Sequence, residues 1–275
     1  MASAISLPHL TVIKLEWHAE GILVMSFNRP QYMNSLSRAS CTEWKQVMEL
    51  VHQTPSIRVL VITGSGRAYS AGQELPTPKQ NASGEEENER LRANIELSRQ
   101  LTKLLITSPV PIIAAVNGPA IGYGCTSLAL CDLVISVEQA VFRTPFAELA
   151  LCAEGCSSVT FPRILGPMVA NAMLLFCRAM SAKEMHQRGF VDRLVKSEDL
   201  MPVTMGVAKE LASRSQAAIS ASRSLLRHQE LVDELVRVND REMDEIYKRA
   251  TSADSKQAIA AILKRMQSKG ARPKM

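Results

Sequence analysis

An α/β body with a mostly parallel sheet, followed by a purely helical region, is the fold class this sequence predicts. Strand-like and helix-like segments alternate through the first two thirds of the 275 residues, the pattern of a parallel sheet covered by helices. From Ser197 to Lys269 the pattern is helical, with no β run. A glycine-rich turn, Asn117-Gly-Pro-Ala-Ile-Gly-Tyr-Gly124, follows a short apolar strand and opens a helix, which is how a ligand-facing turn is built in such folds. The predicted division is a core over residues 1–196 and a helical region over 197–275.

In order along the chain, Leu10–Trp17 and Gly21–Phe27 are β-type runs joined by a short turn, an opening hairpin. Asn28-Arg-Pro30 ends the second. Ser37–Val51 is helical, with Ser37 as cap and Trp44, Val47, Met48 and Val51 on one face. Ile57–Thr63 is a continuous apolar strand ending in the turn Gly64-Ser-Gly66. Pro76–Glu89, with two prolines and an acidic run, predicts a surface loop. Asn88–Ile106 is helical, stopped by Pro109 and Pro111 before the strand Ile112–Val116. After the central turn the apolar run Cys125–Leu133 predicts a helix. Asp132–Val137 and Ala140–Phe142 read as strands, and Ser157–Leu165, Met168–Cys177 and Ser181–Arg188 as helices. Val191–Val195 is the last strand.

Composition narrows the function. No apolar run reaches the roughly 20 residues of a membrane span. The net charge of +5 is spread without basic blocks; it suits an anionic small molecule and gives no footprint for nucleic acid. Six cysteines (Cys41, Cys125, Cys131, Cys152, Cys156, Cys177) lie in apolar segments without a Cys-x-x-Cys pair, so the expectation is buried thiols in a reducing compartment and no metal site. His9, His18, His52, His186 and His228 lack metal spacing and receive no chemistry. The first residues predict neither a signal nor a transit peptide. The last three, Pro273-Lys274-Met275, loosely resemble a peroxisomal address.

Glycines let a backbone approach a ligand closely, and a helix start offers unpaired N–H groups and a positive dipole end. The natural guest is a phosphate, or an oxygen that becomes negative during a reaction. The glycine spacing matches neither the dinucleotide fingerprint nor the phosphate-binding loop, and a tight connection without a ligand accounts equally well for the turn alone.

Five segments together resemble the crotonase (enoyl-CoA hydratase/isomerase) superfamily: Asn28-Arg-Pro30, Tyr69-Ser-Ala-Gly-Gln-Glu-Leu75, the central turn, Cys131-Asp-Leu133 and Phe142-x-x-Pro145. The resemblance runs from about residue 10 onward. It implies a spiral of stacked ββα turns, a C-terminal helical region supporting a homotrimer or hexamer, and an acyl-CoA thioester as substrate. No further cofactor is implied, since CoA is part of the substrate. It also implies an oxyanion hole of two backbone N–H groups, carried over to Ala71 and Tyr123. Tyr69, Ser70, Gly72, Gln73, Leu75 and Phe146 are implied to line the substrate, and Arg29 and Arg67 to lie near the CoA phosphates.

Acid and base residues decide the reaction. The two glutamates of family hydratases fall here on Thr126 and Phe146, which move no protons, so hydration is disfavoured. Ala153-Glu-Gly-Cys-Ser-Ser158 resembles the segment that carries the base of peroxisomal-type Δ3,Δ2-enoyl-CoA isomerases, which places that base at Glu154; the alanine replaces a usual proline. A dienoyl-CoA isomerase would need a second acid near Phe146. Glu148 is read as a solvated or salt-bridged surface residue rather than a second acid, and Asp132 as a structural cap or turn residue. The rival readings are a non-catalytic acyl-CoA or protein-binding module and another reaction of the same superfamily.

Overall fold

A computed structural model describes residues 7–75 and 84–268. Strands β1 (Ile13–His18) and β2 (Ile22–Phe27) form the expected antiparallel hairpin. Helix α1 (Arg38–Gln53) leads to β3 (Val59–Gly64), α2 (Gly84–Ile106) to β4 (Ile112–Val116). Then come β5 (Ala120–Ile121), α3 (Tyr123–Thr126), β6 (Leu133–Val137) and β7 (Val141–Arg143). Helices α4 (Ser157–Leu165) and α5 (Pro167–Leu174), strand β8 (Met180–Ser181), α6 (Ala182–Gln187) and β9 (Arg193–Val195) complete the body. Helices α7 (Leu200–Ser213), α8 (Gln216–Leu226), α9 (Gln229–Thr251) and α10 (Ala253–Ser268) follow.

The main sheet has the order β1-β2-β3-β4-β6-β9, parallel except for the first pair. Strands β3 and β4 are buried along nearly their whole length. Helix α7 packs on β3, β4 and β6, and burial of residues of both alternations along β3 and β4 is why these strands read as continuous apolar runs rather than alternating ones.

A second tier of short pairings runs beside this sheet. Leu36 bridges Gln73, Ser70 bridges Ala120, and β5 pairs with β7, each in parallel. Each turn of the chain therefore adds one long strand to the main sheet and one short segment to the second tier, and the turns stack as a spiral.

Helix α1 starts where predicted: Ser37 accepts a hydrogen bond from the Ser40 amide, and Trp44, Val47, Met48 and Val51 are buried. Trp44 meets Phe27 edge-on at 4.9 Å and Tyr123 at 5.8 Å between ring centroids, favourable aromatic geometry. The helical region packs on its own chain, α9 lying along α2.

Three expectations need correction. The stretch read as a surface loop to Glu89 is helical from Gly84; the acidic run sits in the first turn of α2, where the helix dipole favours negative charge. Residues 76–83 of that loop lie outside the described residues. The helix after the central turn is two short pieces, α3 and a 3-10 turn over Ser127–Leu130. The two-residue strands β5 and β8 were not foreseen, because two residues carry no readable periodicity.

Glu43 on α1 ties the chain start to the body. Its buried carboxylate accepts from the amides of Thr11 (2.8 Å), Val12 (2.9 Å) and Ile13 (2.9 Å) and from the Thr11 hydroxyl (2.6 Å). Burial works to raise its pKa, but these hydrogen bonds outweigh burial and hold it below the usual carboxylate range. The charged form is thus the stabilised one, and the stabilisation is lost as pH falls through that lowered pKa. We predict that Glu43→Ala lowers unfolding stability by about 3 kcal/mol at pH 7, and that urea titrations show the gap narrowing as the buffer is acidified below pH 4 or so.

Candidate active site

The site forms where two backbone segments cross without side chains between them. Gly72 has φ +80°, and a Cβ there would lie 2.6 Å from the Ile121 carbonyl oxygen. Only glycine permits both that conformation and that approach. From the other side, the Gly72 Cα lies 3.8 Å from where a Cβ on Gly122 would be. Ser70 braces the crossing: its hydroxyl donates to the Asn34 carbonyl (2.9 Å) and accepts from the Gly72 amide (3.1 Å).

The backbone donors here divide into used and unused. The Ala71 N–H donates to the Met33 carbonyl at 2.9 Å, so it is committed within the fold and cannot serve as the open donor expected of it. Around Gln73, the Leu36 amide donates to the Gly72 carbonyl and the Glu74 amide to the Leu36 carbonyl, which leaves the Gln73 N–H facing away from Leu36. Among the described residues it has no acceptor. The same holds for the N–H of Tyr123, the first residue of α3, whose amide is an intrinsic orphan of a helix start. These two donors directly follow the two glycines that pack together.

Helix α2 holds both residues from outside. The Tyr123 hydroxyl pairs with the Thr102 hydroxyl at 2.7 Å, and the Gln73 side-chain amide donates to the Ser98 hydroxyl at 3.0 Å.

Glu154 approaches from the loop before α4. Its residue is 9% exposed, and among the described residues no group donates a hydrogen bond to its carboxylate; Ser157 bonds its backbone carbonyl instead. Burial first, and the negative Glu242 second, push its pKa up to about 8. The following Gly155 (φ +66°) lets the loop lie against α3: a Cβ there would stand 2.6 Å from the Thr126 hydroxyl and 3.4 Å from the Tyr123 ring. The Thr126 hydroxyl is buried with no partner among the described residues.

The remaining candidates separate clearly. Tyr69 is a core residue, 1% exposed and edge-on to Phe27 at 5.6 Å, and Ser70 is wholly buried, so these two brace the site from behind. Phe146 is buried at the start of the 3-10 turn Ala147–Leu149. Leu75 is half-buried at the rim. Arg29 stacks on Tyr32 (4.5 Å) and pairs with Glu74, whereas Arg67 is exposed. Glu148 pairs with Arg143 at the surface. Asp132 accepts from the Ile112 amide at 2.8 Å and pairs with Arg223 and Arg227. Both acids have the structural roles expected of them. A cavity of about 460 Å³ between α2 and α9, lined by Ile95, Tyr247 and paired charges such as Arg99 and Asp244, lies apart from Glu154. Among the described residues no cluster of His, Cys, Asp or Glu is placed to hold a metal, and no helix is long and apolar enough to cross a membrane.

One residue that matters here was missed from the sequence. Glu242 of α9, 5% exposed, accepts from the amides of Cys156 (2.7 Å) and Ser158 (3.0 Å). Its only signal is register: it falls on the helix face that buries Val238, Asn239, Met243 and Ile246.

The family model described as enoyl-CoA hydratase/isomerase matches residues 18–269. Human enoyl-CoA delta isomerase 2 is 32% identical over 246 residues, 90% of this chain and 62% of its own length. Mouse enoyl-CoA delta isomerase 3, peroxisomal, is 31% identical over 216 residues, 77% of this chain and 66% of its own. Mouse chromodomain Y-like protein 2 is 33% identical over 198 residues, 72% of this chain and 37% of its own. The chain thus spans about two thirds or less of each of these relatives. Among solved structures, an enoyl-CoA hydratase/isomerase from Pseudoalteromonas atlantica superposes with a TM-score of 0.82 at 26% identity, covering 93% of this chain and 98% of that one.

A raised carboxylate pKa means that the charged form is disfavoured in the fold. The stability Glu154 contributes is present below its ordinary pKa of 4.5 and is lost as pH rises toward about 8; each tenfold change in acidity is worth about 1.4 kcal/mol. Glu154→Gln should therefore melt higher than wild type at pH 8.5 or so, with the difference shrinking toward about pH 5. A melting-temperature difference that does not change across that range would contradict this burial.

Proposed function

The chain belongs to the enoyl-CoA hydratase/isomerase family, and we propose that within it the chain is a Δ3,Δ2-enoyl-CoA isomerase acting on unsaturated fatty acyl-CoA. The observation that carries this reading is Glu154: a single buried carboxylate without a hydrogen-bond donor among the described residues, beside a helix start with an open N–H. Glu154 takes a proton from C2 of a 3-enoyl-CoA. The electron pair moves into the thioester, forming a dienolate with negative charge on the carbonyl oxygen. The protonated Glu154 returns the proton to C4 on the same face, giving the trans-2-enoyl-CoA with no net change in atoms. A pKa near 8 suits a group that must act first as base and then as acid.

The oxyanion is assigned to the N–H groups of Tyr123 and Gln73. Gln73 replaces Ala71 in this role because the Ala71 N–H is already donated to Met33. Pre-aimed backbone donors of this kind are each worth roughly a hundred- to a thousandfold in rate. Hydration is less well supported: Thr126 and the buried Phe146 offer no second acid to activate water. Arg67, exposed beside the site, is the better of the two arginines for the CoA phosphates, since Arg29 is paired with Glu74.

A homotrimeric or hexameric assembly involving the helical region is part of the proposal. Leu225 and Leu226 of α8 are each more than 70% exposed, and such an interface would cover them. A peroxisomal destination would rest on Pro273-Lys274-Met275, which lies outside the described residues, and is supported by the name of the mouse relative.

The second reading, an acyl-CoA or protein-binding module without catalysis, is favoured by the relative named for a chromodomain rather than a reaction. The two separate on conversion of 3-hexenoyl-CoA followed by ultraviolet absorbance of the conjugated product. Wild type should turn over, and Glu154→Gln should lose about a thousandfold or more in kcat. Product with the mass of an added water would indicate a hydratase; binding of CoA esters without turnover would indicate the module. The pH profile of kcat/KM should rise with a midpoint near 8, and sedimentation should give three or six times the 30.2 kDa chain mass.

A further inference from the structure

We propose that Glu242 is the positioning residue for Glu154, clamping from α9 the turn that presents it and standing beside it as a fixed negative charge. This rests on the isomerase reading of the site.

The turn between Glu154 and α4 is unusual. Gly155 and Cys156 are consecutive left-handed residues, with φ +66° and +62°. For cysteine that conformation is costly and needs outside support. Helix α4 also starts without a side-chain cap of its own, because Cys156 occupies the cap position and makes no capping bond. Glu242 supplies both needs. One carboxylate oxygen accepts from the Cys156 amide at 2.7 Å and the other from the Ser158 amide at 3.0 Å. A carboxylate across two N–H groups at a helix start satisfies orphan donors and the helix dipole together.

The same helix grips the loop at further points. The Cys156 thiol donates to the Leu235 carbonyl (3.4 Å), and Arg249 donates to the Ala150 carbonyl (3.0 Å). From α10, Ser255 donates to the Leu149 carbonyl (3.0 Å). The catalytic loop is therefore held from the helical region.

The charge of Glu242 matters as much as its hydrogen bonds. The titratable groups bearing on Glu154 are Glu242 from α9, the Tyr123 phenol from α3, the Cys41 thiol from α1 and the Cys152 thiol of its own loop. Burial pushes Cys41 up to about 12, Cys152 to about 11 and Tyr123 well above its ordinary value, so all three are neutral near pH 7. Burial also raises Glu242, against hydrogen bonds from Ser158 and Cys156 and the charge of Arg241. Of the two carboxyls, Glu242 has the donors, so the first negative charge settles there. Glu154 then ionises last.

The test is the titration of Glu154 read directly in the full chain. Carbon-13 NMR of labelled glutamate carboxyls, with the Glu154 signal assigned by its loss in Glu154→Gln, is compared between wild type and Glu242→Gln. The Glu154 midpoint should fall by about one pH unit or more in Glu242→Gln, and the kcat/KM profile should move with it. A midpoint that stays in place overturns the charge role, whether or not activity is seen. This readout does not depend on turnover, so an inactive wild type would reject the isomerase reading while leaving the link between the two carboxyls measured. Glu242→Asp keeps the charge but shortens the reach, and tests the clamp should the glutamine variant not fold. It should leave Glu154 titrating high while kcat drops about a hundredfold from misplacement. An unchanged kcat with Glu242→Asp overturns the clamp.

Discussion

The contact between the backbones at Gly72 and Gly122 is the constraint on which the site depends. A parallel spiral brings successive turns of chain side by side, but ordinary residues would hold them apart by the width of their side chains. Removing both side chains at one point lets the second-tier segment after β3 lie on the turn before α3. The neighbouring Ser70–Ala120 bridge locks the register. Among the described residues two N–H groups are then left without partners, for opposite reasons: one faces away from a parallel bridge, and the other belongs to the first residue of a helix.

Against that crossing the chain sets a carboxylate in an environment that disfavours its charge. Among the described residues nothing donates to the Glu154 carboxylate, while a second carboxylate nearby takes the helix-start donors of α4. In stability terms the arrangement is a cost, compensated by an extensive core in which Trp44, Tyr123 and Phe27 interlock. On the proposed isomerase reading, the cost is also what suits the carboxylate to act as a base near neutral pH, since a solvated glutamate with an ordinary pKa would be a poor one.

Much of the fold was legible in the sequence because its signals are local. The strand Ile112–Val116, the helix Ser157–Leu165 and the buried face of α1 follow from apolar runs, caps and spacing. Glu154 was legible only through its resemblance to a known segment; no periodicity distinguishes it from Glu148, which lies at the surface. The N–H groups proposed for the oxyanion illustrate the limit. Ala71 and Gln73 sit in the same short motif, and which N–H is free depends on Met33 and Leu36, more than thirty residues away. Glu242 was invisible for the same reason. Its partners are separated from it by 86 and 84 residues, and a glutamate in a helix rich in Glu, Asp and Arg reads as solvent-facing. The short strands β5 and β8 escaped because pairing, not sequence pattern, defines them.

The long reach between Glu242 and the turn it holds has a consequence for biosynthesis. The main sheet is complete once β9 has formed, and that part of the molecule can collapse while the chain is still being made. The loop bearing Glu154 is different: its left-handed turn is closed by contacts to α9, which follows it by some eighty residues, and α10 holds the loop at Leu149. Until they dock, a compact intermediate would carry a formed sheet and a glycine crossing but an unaimed carboxylate. On the proposed isomerase reading, the site would be complete only once α9 and α10 have closed over the loop.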